Sequence, residues 1–356
     1  MQPSAEPSPG AGKFSADSGF HRELKQRVDD YFTLTRRSQR DVPRMYLKTA
    51  IILAWFVASY ALLVFAAATW WQGLLLSTSL ALAMGGIGFA IQHDANHGAY
   101  SARGGINHVL GLALDLLGAS SYVWRWKHNV LHHSYTNVSG SDNDIDLRPF
   151  GRLVPSHRRR WIHRFQQYYL WALYGFLVPQ WQFVEDFKQL AQGRIAGHRF
   201  NRPHGWKWLE LIGGKLFFIA WAFALPMLYH RFWVVLVLYA VTVFMLGVVL
   251  SVVFQLAHCV EGAQFPLAPQ TAWAEHQVST TVDFAPRSRL LTWYLGGLNF
   301  QIEHHLFPKI CHVHYPRLSP IVRKVCAAHG VRYSTHDSLF AAISSHWRFL
   351  RRMAFA

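Results

Sequence analysis

Long runs without charge dominate the pattern of hydrophobic and polar positions in this chain. Between Lys48 and Asp94 there are 45 consecutive residues without Lys, Arg, Asp or Glu. As a single helix they would extend about 67 Å, against a hydrocarbon core of roughly 30 Å. The run therefore predicts two spanning helices, at about 49–69 and 73–93. The turn is predicted at Trp70–Gly73, where a glycine, a glutamine and two indoles coincide.

A second pair of apolar segments predicts a second helical hairpin. The first segment, about 209–229, carries Lys215 near one end, where a long side chain can reach the interface. The second, about 232–256, is followed by no charged residue until Glu261. The dipeptide His230–Arg231 supplies the turn between them.

Two shorter apolar stretches predict interfacial or re-entrant helices. Residues 106–122 include His108 and Asp115, and residues 165–184 include four glutamines among tyrosines and tryptophans. Aromatic and amide side chains of this kind favour the headgroup level of a bilayer. The predicted fold class is therefore an all-α integral membrane protein with four transmembrane helices in two hairpins, interfacial helices and a cytoplasmic histidine-rich cap.

The distribution of basic residues predicts the orientation of these helices. With four spans, both termini and the long middle segment share one side of the membrane. That side carries 33 of the 35 Lys and Arg residues, the exceptions being Lys215 and Arg231. The positive-inside bias makes it the cytoplasmic side.

The ends of the chain suggest a simple domain organisation. Residues 1–20 are rich in Pro, Ser, Gly and Ala and predict a disordered tail. They contain no apolar core of a signal peptide. Residues 21–356 are predicted to form a single membrane domain. It begins with a short amphipathic helix that carries Leu24, Val28 and Phe32 on one face.

Composition excludes two other classes of protein. The net charge of +16 is compatible with a nucleic-acid partner, but charged residues make up only 15% of the chain and hydrophobic residues 51%. These fractions exclude a disordered basic protein, and the sorting of basic residues to one side of a membrane argues against nucleic acid. The three cysteines, Cys259, Cys311 and Cys326, are too few for a disulfide framework and fit a reducing compartment.

Histidine is the most unusual feature of the composition, since 21 histidines exceed the 19 Asp and Glu residues together. Eight of them form a pattern of three short clusters, HDANH, HNVLHH and QIEHH, and one histidine near the end of the fourth span. The eight are His93, His97, His128, His132, His133, His258, His304 and His305. Each cluster alone is compatible with surface or core histidines. All four groups, however, fall on the cytoplasmic side if the two shorter apolar stretches do not cross the bilayer.

Convergence of eight imidazoles predicts a site with two metal ions. Eight ligands overfill a single ion, and a hydrolytic zinc site usually needs three protein ligands and a water. Imidazole also suits iron, copper and nickel, and nitrogen-rich sites with open positions favour iron with dioxygen. Asp94, Asp144 and Glu303 are candidates to orient the imidazoles, although simple solvated acids fit the sequence equally well.

The three histidine clusters and their flanking sequences resemble those of the membrane fatty acid desaturases. The resemblance covers about residues 20–318 and includes HDANHGAYS, WRWKHNVLHHSYTN and LGGLNFQIEHHLFPKICHVHYP. Gln301 stands where many desaturases have the first histidine of the third cluster. Glutamine there is typical of the front-end desaturases and their bacterial acyl-CoA or acyl-lipid relatives. Asp283, in TTVDF, departs from the family, in which many members carry Asn.

The resemblance implies an oxidoreductase that uses O2 and two iron ions to insert a double bond into a fatty acyl chain held in the bilayer. It assigns the eight histidines as iron ligands, with His258 matching an additional ligand histidine of the family. Asn299 and Gln301 are further candidates near the metal. The sequence has no His-Pro-Gly-Gly haem motif. The expected electron source is therefore a separate ferredoxin- or cytochrome b5-like protein with its reductase, and no nucleic-acid partner is expected.

Three alternative functions remain open at this point. A hydroxylase or monooxygenase would use the same scaffold and oxidant, whereas a membrane zinc hydrolase and a non-enzymatic haem or metal carrier would not. The sequence also offers Arg148, Arg152 and Arg158–Arg160 as candidates to bind CoA phosphates, anionic headgroups or an acidic electron donor. A solvated cytoplasmic loop explains the same arginines.

Overall fold

The computed structural model describes residues 13–356 of the chain. The predicted disordered tail over residues 1–20 therefore lies mostly outside the described residues. Within residues 13–20, the backbone N–H of Ser15 donates to the carbonyl of Thr271, at 3.1 Å. The first helix, α1 (Phe20–Thr35), buries Leu24, Val28 and Phe32, as its amphipathic pattern predicts.

The first predicted hairpin is present, with shifted bounds. Helix α2 spans Pro43–Phe65 and helix α3 spans Trp70–His97. The predictions that the first span extends to residue 69 and that Trp70–Gly73 forms the turn are wrong. Thr69 caps α3, because its hydroxyl accepts from the Gln72 N–H while the Gln72 side chain accepts from the Thr69 N–H. This capping box fixes the helix start before the two indoles.

The second hairpin consists of α9 (Trp206–Met227) and α10 (Phe232–His258). Its bounds differ from the predicted 209–229 and 232–256 by two or three residues at most ends. In the described residues, four helices are long and apolar enough to cross a membrane, namely α2, α3, α9 and α10. The predicted fold class is confirmed. His258, which the sequence puts near the end of the fourth span, is the last residue of α10.

The shorter apolar stretch at residues 106–122 is broken in the middle. Helices α4 (Gly104–Leu116) and α5 (Ser121–His132) meet at an angle of 111°. Gly118, with a φ of +89°, lies in the break between them. The chain therefore reverses much of its direction, which fits the predicted re-entrant arrangement better than a straight span.

The second such stretch, at residues 165–184, also fails to form a straight helix. It comprises a turn at Trp161–Phe165, then α6 (Gln166–Leu173), a turn at Tyr174–Phe176, α7 (Leu177–Gln180) and a wide π-helical turn at Trp181–Glu185. Helix α8 (Asp186–Gln192) follows. The segment packs on α10 where Gly175 meets Gly247, since a Cβ on Gly247 would lie 2.6 Å from the Gly175 carbonyl oxygen.

The C-terminal third and several short elements build the cap over the four spans. The short helices are α11 (Trp273–Thr280), α12 (Arg289–Tyr294) and α13 (Gln301–Leu306), and the longer ones are α14 (Tyr315–Ala328) and α15 (Leu339–Phe355). Two small sheets complete the fold. Strands β1 (Arg194–Ile195) and β2 (His198–Arg199) pair antiparallel, and β3 (Asp283–Phe284) pairs parallel with β4 (Thr335–His336).

Candidate metal centre

The structure brings all eight predicted histidines together. They come from the end of α3, the end of α5 with the following residue, the end of α10, and α13. The ring centroids of His93 and His304 are 4.6 Å apart, although 210 positions separate them in the sequence. Those of His132 and His258 are 4.7 Å apart. Residues that the sequence scatters over four elements therefore share one buried volume.

The imidazoles fall into two neighbouring groups. In the first, His93, His97, His128 and His304 each offer a ring nitrogen, all within 4.8 Å of one another. The second group is made of three imidazoles in the same mutual range: His132, His258 and His305. His133 lies within reach of His304 and His305 and thus borders both groups. The arrangement can hold two metal ions, as the ligand count predicts.

Local helix geometry explains why neighbouring histidines point into one volume. His93 and His97 are four residues apart on the last turns of α3, so they share a face. The end of α5 is instead wound as a π-helix, in which the His133 N–H donates to the His128 carbonyl at 3.0 Å. This wider turn brings the Nε2 atoms of His128 and His133 to 3.3 Å. Such turns occur frequently at functional sites.

Three hydrogen-bond partners that the sequence did not single out fix the orientation of the rings. Nδ1 of His132 lies 2.9 Å from a carboxylate oxygen of Asp142. Nδ1 of His305 lies 2.8 Å from the Gln277 side-chain oxygen, and Nδ1 of His304 lies 3.3 Å from the Tyr315 hydroxyl. With Nδ1 engaged outward, Nε2 of each ring faces its neighbours, which is the usual arrangement of a metal-binding imidazole.

Several ring nitrogens of these histidines have no hydrogen-bond partner within the described residues. Buried polar atoms are rarely left unsatisfied, so these atoms require a ligand or water. The unpartnered nitrogens are Nε2 of His97, His132, His304 and His305 and Nδ1 of His133 and His258. Neutral nitrogen donors that converge in a buried space are the donor set that iron accepts, so the residues fit the metal that the sequence implies.

Burial keeps three imidazoles outside the spans in the neutral form that binds metal. Desolvation lowers the pKa of His133, His304 and His305 well below the ordinary value, and the neighbouring imidazoles lower it further. A neutral imidazole has a lone pair free for a cation, whereas a protonated one has none. These three imidazoles therefore need no deprotonation before metal binds at neutral pH, whereas the carboxylate of Asp142 raises the pKa of His132 in spite of its burial.

Two of the residues predicted to orient the imidazoles contact them. A carboxylate oxygen of Asp144 lies 3.7 Å from Nδ1 of His128 and the other lies 3.1 Å from the Lys127 ammonium. The Gln301 side-chain nitrogen lies 2.9 Å from Nε2 of His258. Gln301 thus reaches the second group of imidazoles from the position that many desaturases give to a histidine.

The other three candidates, Asp94, Glu303 and Asn299, form hydrogen bonds with groups other than the eight imidazoles. Asp94 accepts from Nδ1 of His312 at 2.8 Å, and Nε2 of His312 lies 2.9 Å from the Lys48 ammonium. Glu303 accepts from the Tyr333 hydroxyl at 2.8 Å. The Asn299 amide donates to the carbonyl of Phe284 and to the Thr292 hydroxyl, at 3.2 and 3.1 Å. In the described residues they hold the elements that carry the site and form no hydrogen bond to its eight imidazoles.

Comparison with known proteins identifies the family. The family model for fatty acid desaturases matches residues 68–337. The chain is 40% identical to an sn-1 linoleoyl-lipid 6-desaturase of Arthrospira platensis, over 96% of this chain and 94% of the relative. Its identity to the sn-1 linoleoyl-lipid 6-desaturase of Synechocystis sp. is also 40%, over 96% and 97%. An acyl-lipid (8-3)-desaturase of Physcomitrium patens is 37% identical, over 98% of this chain and 76% of the relative.

This chain belongs to the fatty acid desaturase family. The predicted resemblance is thereby confirmed, including its front-end type, because relatives of that type align over nearly the whole chain. The protein is an oxidoreductase that desaturates fatty acids.

The desaturase has a large cavity beside its imidazoles. The cavity holds about 1110 Å³, and its lining includes His93, His128 and Gln301. Apolar side chains such as Leu114 and Leu250 form much of the remaining wall. A long apolar chain can therefore lie next to the candidate metal centre.

Basic residues line the exposed rim of this cavity. Arg148, Arg160, Lys188 and Arg194 contribute to its lining, and all four are exposed. Arg148 is paired with Asp146, at 2.8 Å.

The prediction that Arg152 belongs to an anion-binding surface of the desaturase is wrong. This guanidinium is buried and donates to backbone carbonyls, among them those of Met353 and His157, at 2.6 and 2.7 Å. Four of its five N–H donors join the loop after residue 152 to the end of α15, so the side chain is a structural link and not part of an exposed anion-binding surface.

Proposed function

We propose that this desaturase inserts a double bond into a long-chain acyl group of a membrane lipid, in an O2-dependent reaction at two iron ions. A separate ferredoxin- or cytochrome b5-like protein, with its reductase, supplies the electrons. The observation that carries the proposal is the meeting of two groups of buried imidazoles beside a cavity of about 1110 Å³. The overall reaction takes two hydrogens from the substrate and, with two electrons and two protons, reduces O2 to two waters.

The residues that would hold iron are the eight histidines. They are His93, His97, His128 and His304 in the first group, His132, His258 and His305 in the second, and His133 between them. Bound iron would supply the oxidising power to remove hydrogen from an unactivated methylene.

The protein supplies orientation and a dry site for this chemistry. Asp142 and Gln277 fix the rings of His132 and His305. Apolar cavity walls at Phe89, Leu117 and Leu250 enclose the acyl chain and exclude water from the reacting carbons.

The substrate class is proposed from two observations. The relatives that align over almost the whole chain are named for linoleoyl-lipid or acyl-lipid substrates. The cavity is lined by the candidate metal centre and also by exposed residues of the rim, which allows a lipid headgroup to stay at the surface while its acyl chain enters. We therefore favour an acyl-lipid over an acyl-CoA, with the new double bond on the carboxyl side of an existing one.

The proposed topology has the candidate metal centre and both termini on the cytoplasmic side. The support is the sorting of basic residues, of which Lys215 and Arg231 alone fall elsewhere. Electron donors of the proposed kinds would then reach the cap directly.

Product analysis tests the proposed reaction. The full chain is expressed in a host that supplies the electron donor, linoleate is fed, and lipids are analysed by mass spectrometry with location of the double bonds. We expect a new double bond in wild-type cells and none with His132→Ala. The variant Leu34→Ala, at a side chain that is 83% exposed on α1, is expected to retain activity. A hydroxylated product would instead identify a hydroxylase.

Metal analysis of the purified protein tests the cofactor separately. We expect about two iron ions per chain, because the imidazoles form two groups. Stoichiometric zinc without iron would contradict the oxidase and favour a hydrolase, and a haem absorption band would favour a carrier.

A further inference from the structure

A surface rich in arginine and aromatic residues includes none of the eight imidazoles and adjoins the rim of the large cavity at Arg160 alone, and we call it the arginine–aromatic surface. It combines the segment 158–168 with the outward face of α15. Its members from the segment are Arg158, Arg159, Arg160, Trp161, Arg164, Phe165 and Tyr168. Its members from α15 are Phe340, Trp347, Arg348, Arg351, Arg352 and Phe355.

Direct contacts join the two parts into one surface. The Arg159 guanidinium lies 5.7 Å from the centre of the Phe355 ring. The rings of Tyr168 and Trp347 are 6.3 Å apart. Beneath them, the Gln166 side chain donates to the carbonyl of Leu350 at 2.8 Å. The segment and the helix are therefore held in one arrangement.

The charge of this surface is almost entirely uncompensated. Of its seven arginines, only Arg348 has a carboxylate within ion-pair distance in the described residues, with Glu261 at 2.6 Å. The remaining guanidinium groups repel one another, and Arg351 and Arg159 face aromatic rings instead of acids. An anionic partner outside the chain would relieve this repulsion.

The aromatic residues indicate which kind of anionic partner fits. Trp161 is 76% exposed and Phe340 is 79% exposed, which is costly for large apolar side chains in water. Helix α15 carries Phe340, Trp347, Arg351 and Phe355 at helical spacing on its outward face. Arginine interleaved with exposed aromatic rings is typical of helices that lie at the membrane interface.

The neighbouring elements put this surface at headgroup depth. The segment after Phe165 descends along α10, so that the ring of Phe176 lies 6.1 Å from that of Phe244. Phe244 lies near the middle of α10, which has 27 residues and is about 40 Å long. Since Phe176 reaches the middle of a spanning helix, the arginines that precede α6 lie where the chain enters the bilayer.

A cleft within the surface could hold an acyl chain. It has a volume of about 550 Å³ and lies between α6 and α15. Trp171, Ile343 and Trp347 form its apolar walls, and Arg348 is at its edge. The cleft is lined by none of the eight imidazoles, so it is separate from the cavity beside the candidate metal centre.

We propose that the arginine–aromatic surface is a binding site for an anionic membrane lipid. Its guanidinium groups bind the phosphate of the headgroup, and one acyl chain lies between Trp171 and Trp347. The lipid is a ligand that fixes α15 on the membrane and is distinct from the substrate. The inference concerns lipid binding alone and does not depend on the proposed reaction.

Native mass spectrometry of the full-length protein tests this site. Phosphatidylglycerol and phosphatidylcholine are added in equal amounts, and retained lipids are counted by mass. We expect wild type to retain phosphatidylglycerol preferentially. The double variant Arg159→Gln/Arg351→Gln should weaken that preference by about fivefold for each arginine removed, because each basic residue near an anionic surface contributes a comparable attraction.

The matched control removes the same charge elsewhere. Arg22→Gln/Lys25→Gln changes two exposed basic residues of α1 and is expected to leave the preference intact. The unfolding temperature of each variant in detergent without added lipid establishes that the fold is unchanged. Trp347→Leu removes apolar surface from the wall of the cleft without changing the charge. It should also reduce the retention of phosphatidylglycerol.

Three results would overturn the proposal. One is equal retention of both lipids by wild type. Another is an equal loss in the double variant and the control, which would mean that overall charge and not this surface is responsible. The third is an unchanged lipid preference in the double variant together with weaker binding of an acidic electron donor, which would assign the surface to that protein.

Discussion

The orientation of each imidazole depends on what its outward nitrogen contacts. Asp142 accepts from Nδ1 of His132 and also from the backbone N–H of Asn137, both at 2.9 Å. Its carboxylate therefore holds one ring and the chain that follows it. Among the described residues, it is the carboxylate that forms the shortest contact with any of the eight imidazoles.

We predict that Asp142→Asn lowers the affinity for iron by about tenfold to a hundredfold, because the neutral amide orients His132 less firmly and makes it less basic. Iron content after dialysis against a chelator measures the effect. Asp29→Asn, at an exposed position of α1, is the control. Equal iron retention by both variants would show that Asp142 does not support the metal.

The sequence was sufficient to find the eight histidines but not the residues that orient them. Histidine clusters have a recognisable spacing, and the contacts of a buried carboxylate do not. Asp142 and Asp144 are two positions apart, so spacing alone cannot decide which one faces His132. Gln277 and Tyr315 belong to different elements that only tertiary packing brings to the rings of His305 and His304.

Close packing between elements fixes the segment at residues 165–184 against α10 of the second hairpin. Gly175 and Gly247 meet where the turn at residues 174–176 crosses α10. A hydrogen bond from the Ser251 hydroxyl to the Tyr174 carbonyl, at 3.3 Å, lies one turn further along α10. The same segment supplies one wall of the cavity, so this crossing also sets the shape of the cavity.

We predict that Gly247→Ala lowers the free energy of unfolding by roughly 1–3 kcal/mol, because its Cβ would meet backbone atoms that cannot move independently. Gly213→Ala on α9 is the matched control, since a Cβ there meets nothing within 4 Å. The control should be neutral or stabilising by up to about 1 kcal/mol. Unfolding in mixed detergent micelles measures both, and equal stability of the two variants would contradict the close crossing.

Helix α1 is an element whose role the amphipathic pattern anticipated only in part. Its buried face packs with Ile302 and Leu306, which belong to the helix that carries His304 and His305. The pattern identified Leu24 as a buried residue but could not identify what it packs against. Helix α1 therefore packs against α13, one of the four elements that supply imidazoles.

We predict that Leu24→Ala costs about 2–5 kcal/mol of unfolding free energy, since Leu24 is fully buried and leaves a cavity beside α13. Leu34→Ala lies on the same helix at an exposed position and should change stability very little. Thermal unfolding of the two proteins, followed by the helical circular dichroism signal, provides the comparison. Similar unfolding temperatures would mean that α1 contributes little to the fold.

At the scale of the whole molecule, the number and pairing of spans followed from hydropathy, because a bilayer imposes a fixed length on uncharged segments. The helix ends did not follow, since they depend on local hydrogen bonds such as those between Thr69 and Gln72. The stretch at residues 106–122 was predicted to be interfacial or re-entrant, but the place of the break between α4 and α5, at Gly118, did not follow from hydropathy.

Cysteine labelling tests the predicted membrane topology. All three native cysteines are buried, and burial raises the pKa of Cys326 to about 12, so their background reaction is low. We expect a membrane-impermeant maleimide to label Trp71→Cys and Arg231→Cys on intact cells. Leu34→Cys and Asp337→Cys should react only after permeabilisation. The reverse pattern would put the cap and both termini on the outside.

The sharing of imidazoles between distant elements also determines when the protein can acquire its metal. Each of the three groups made of imidazoles alone includes His304 or His305. A growing chain therefore has no complete group of this kind until α13 has been synthesised, which is after both hairpins. Metal binding is then a late step of biogenesis that couples loading to complete synthesis. A chain truncated before α13 would lack His304 and His305, so it would contain none of these complete groups.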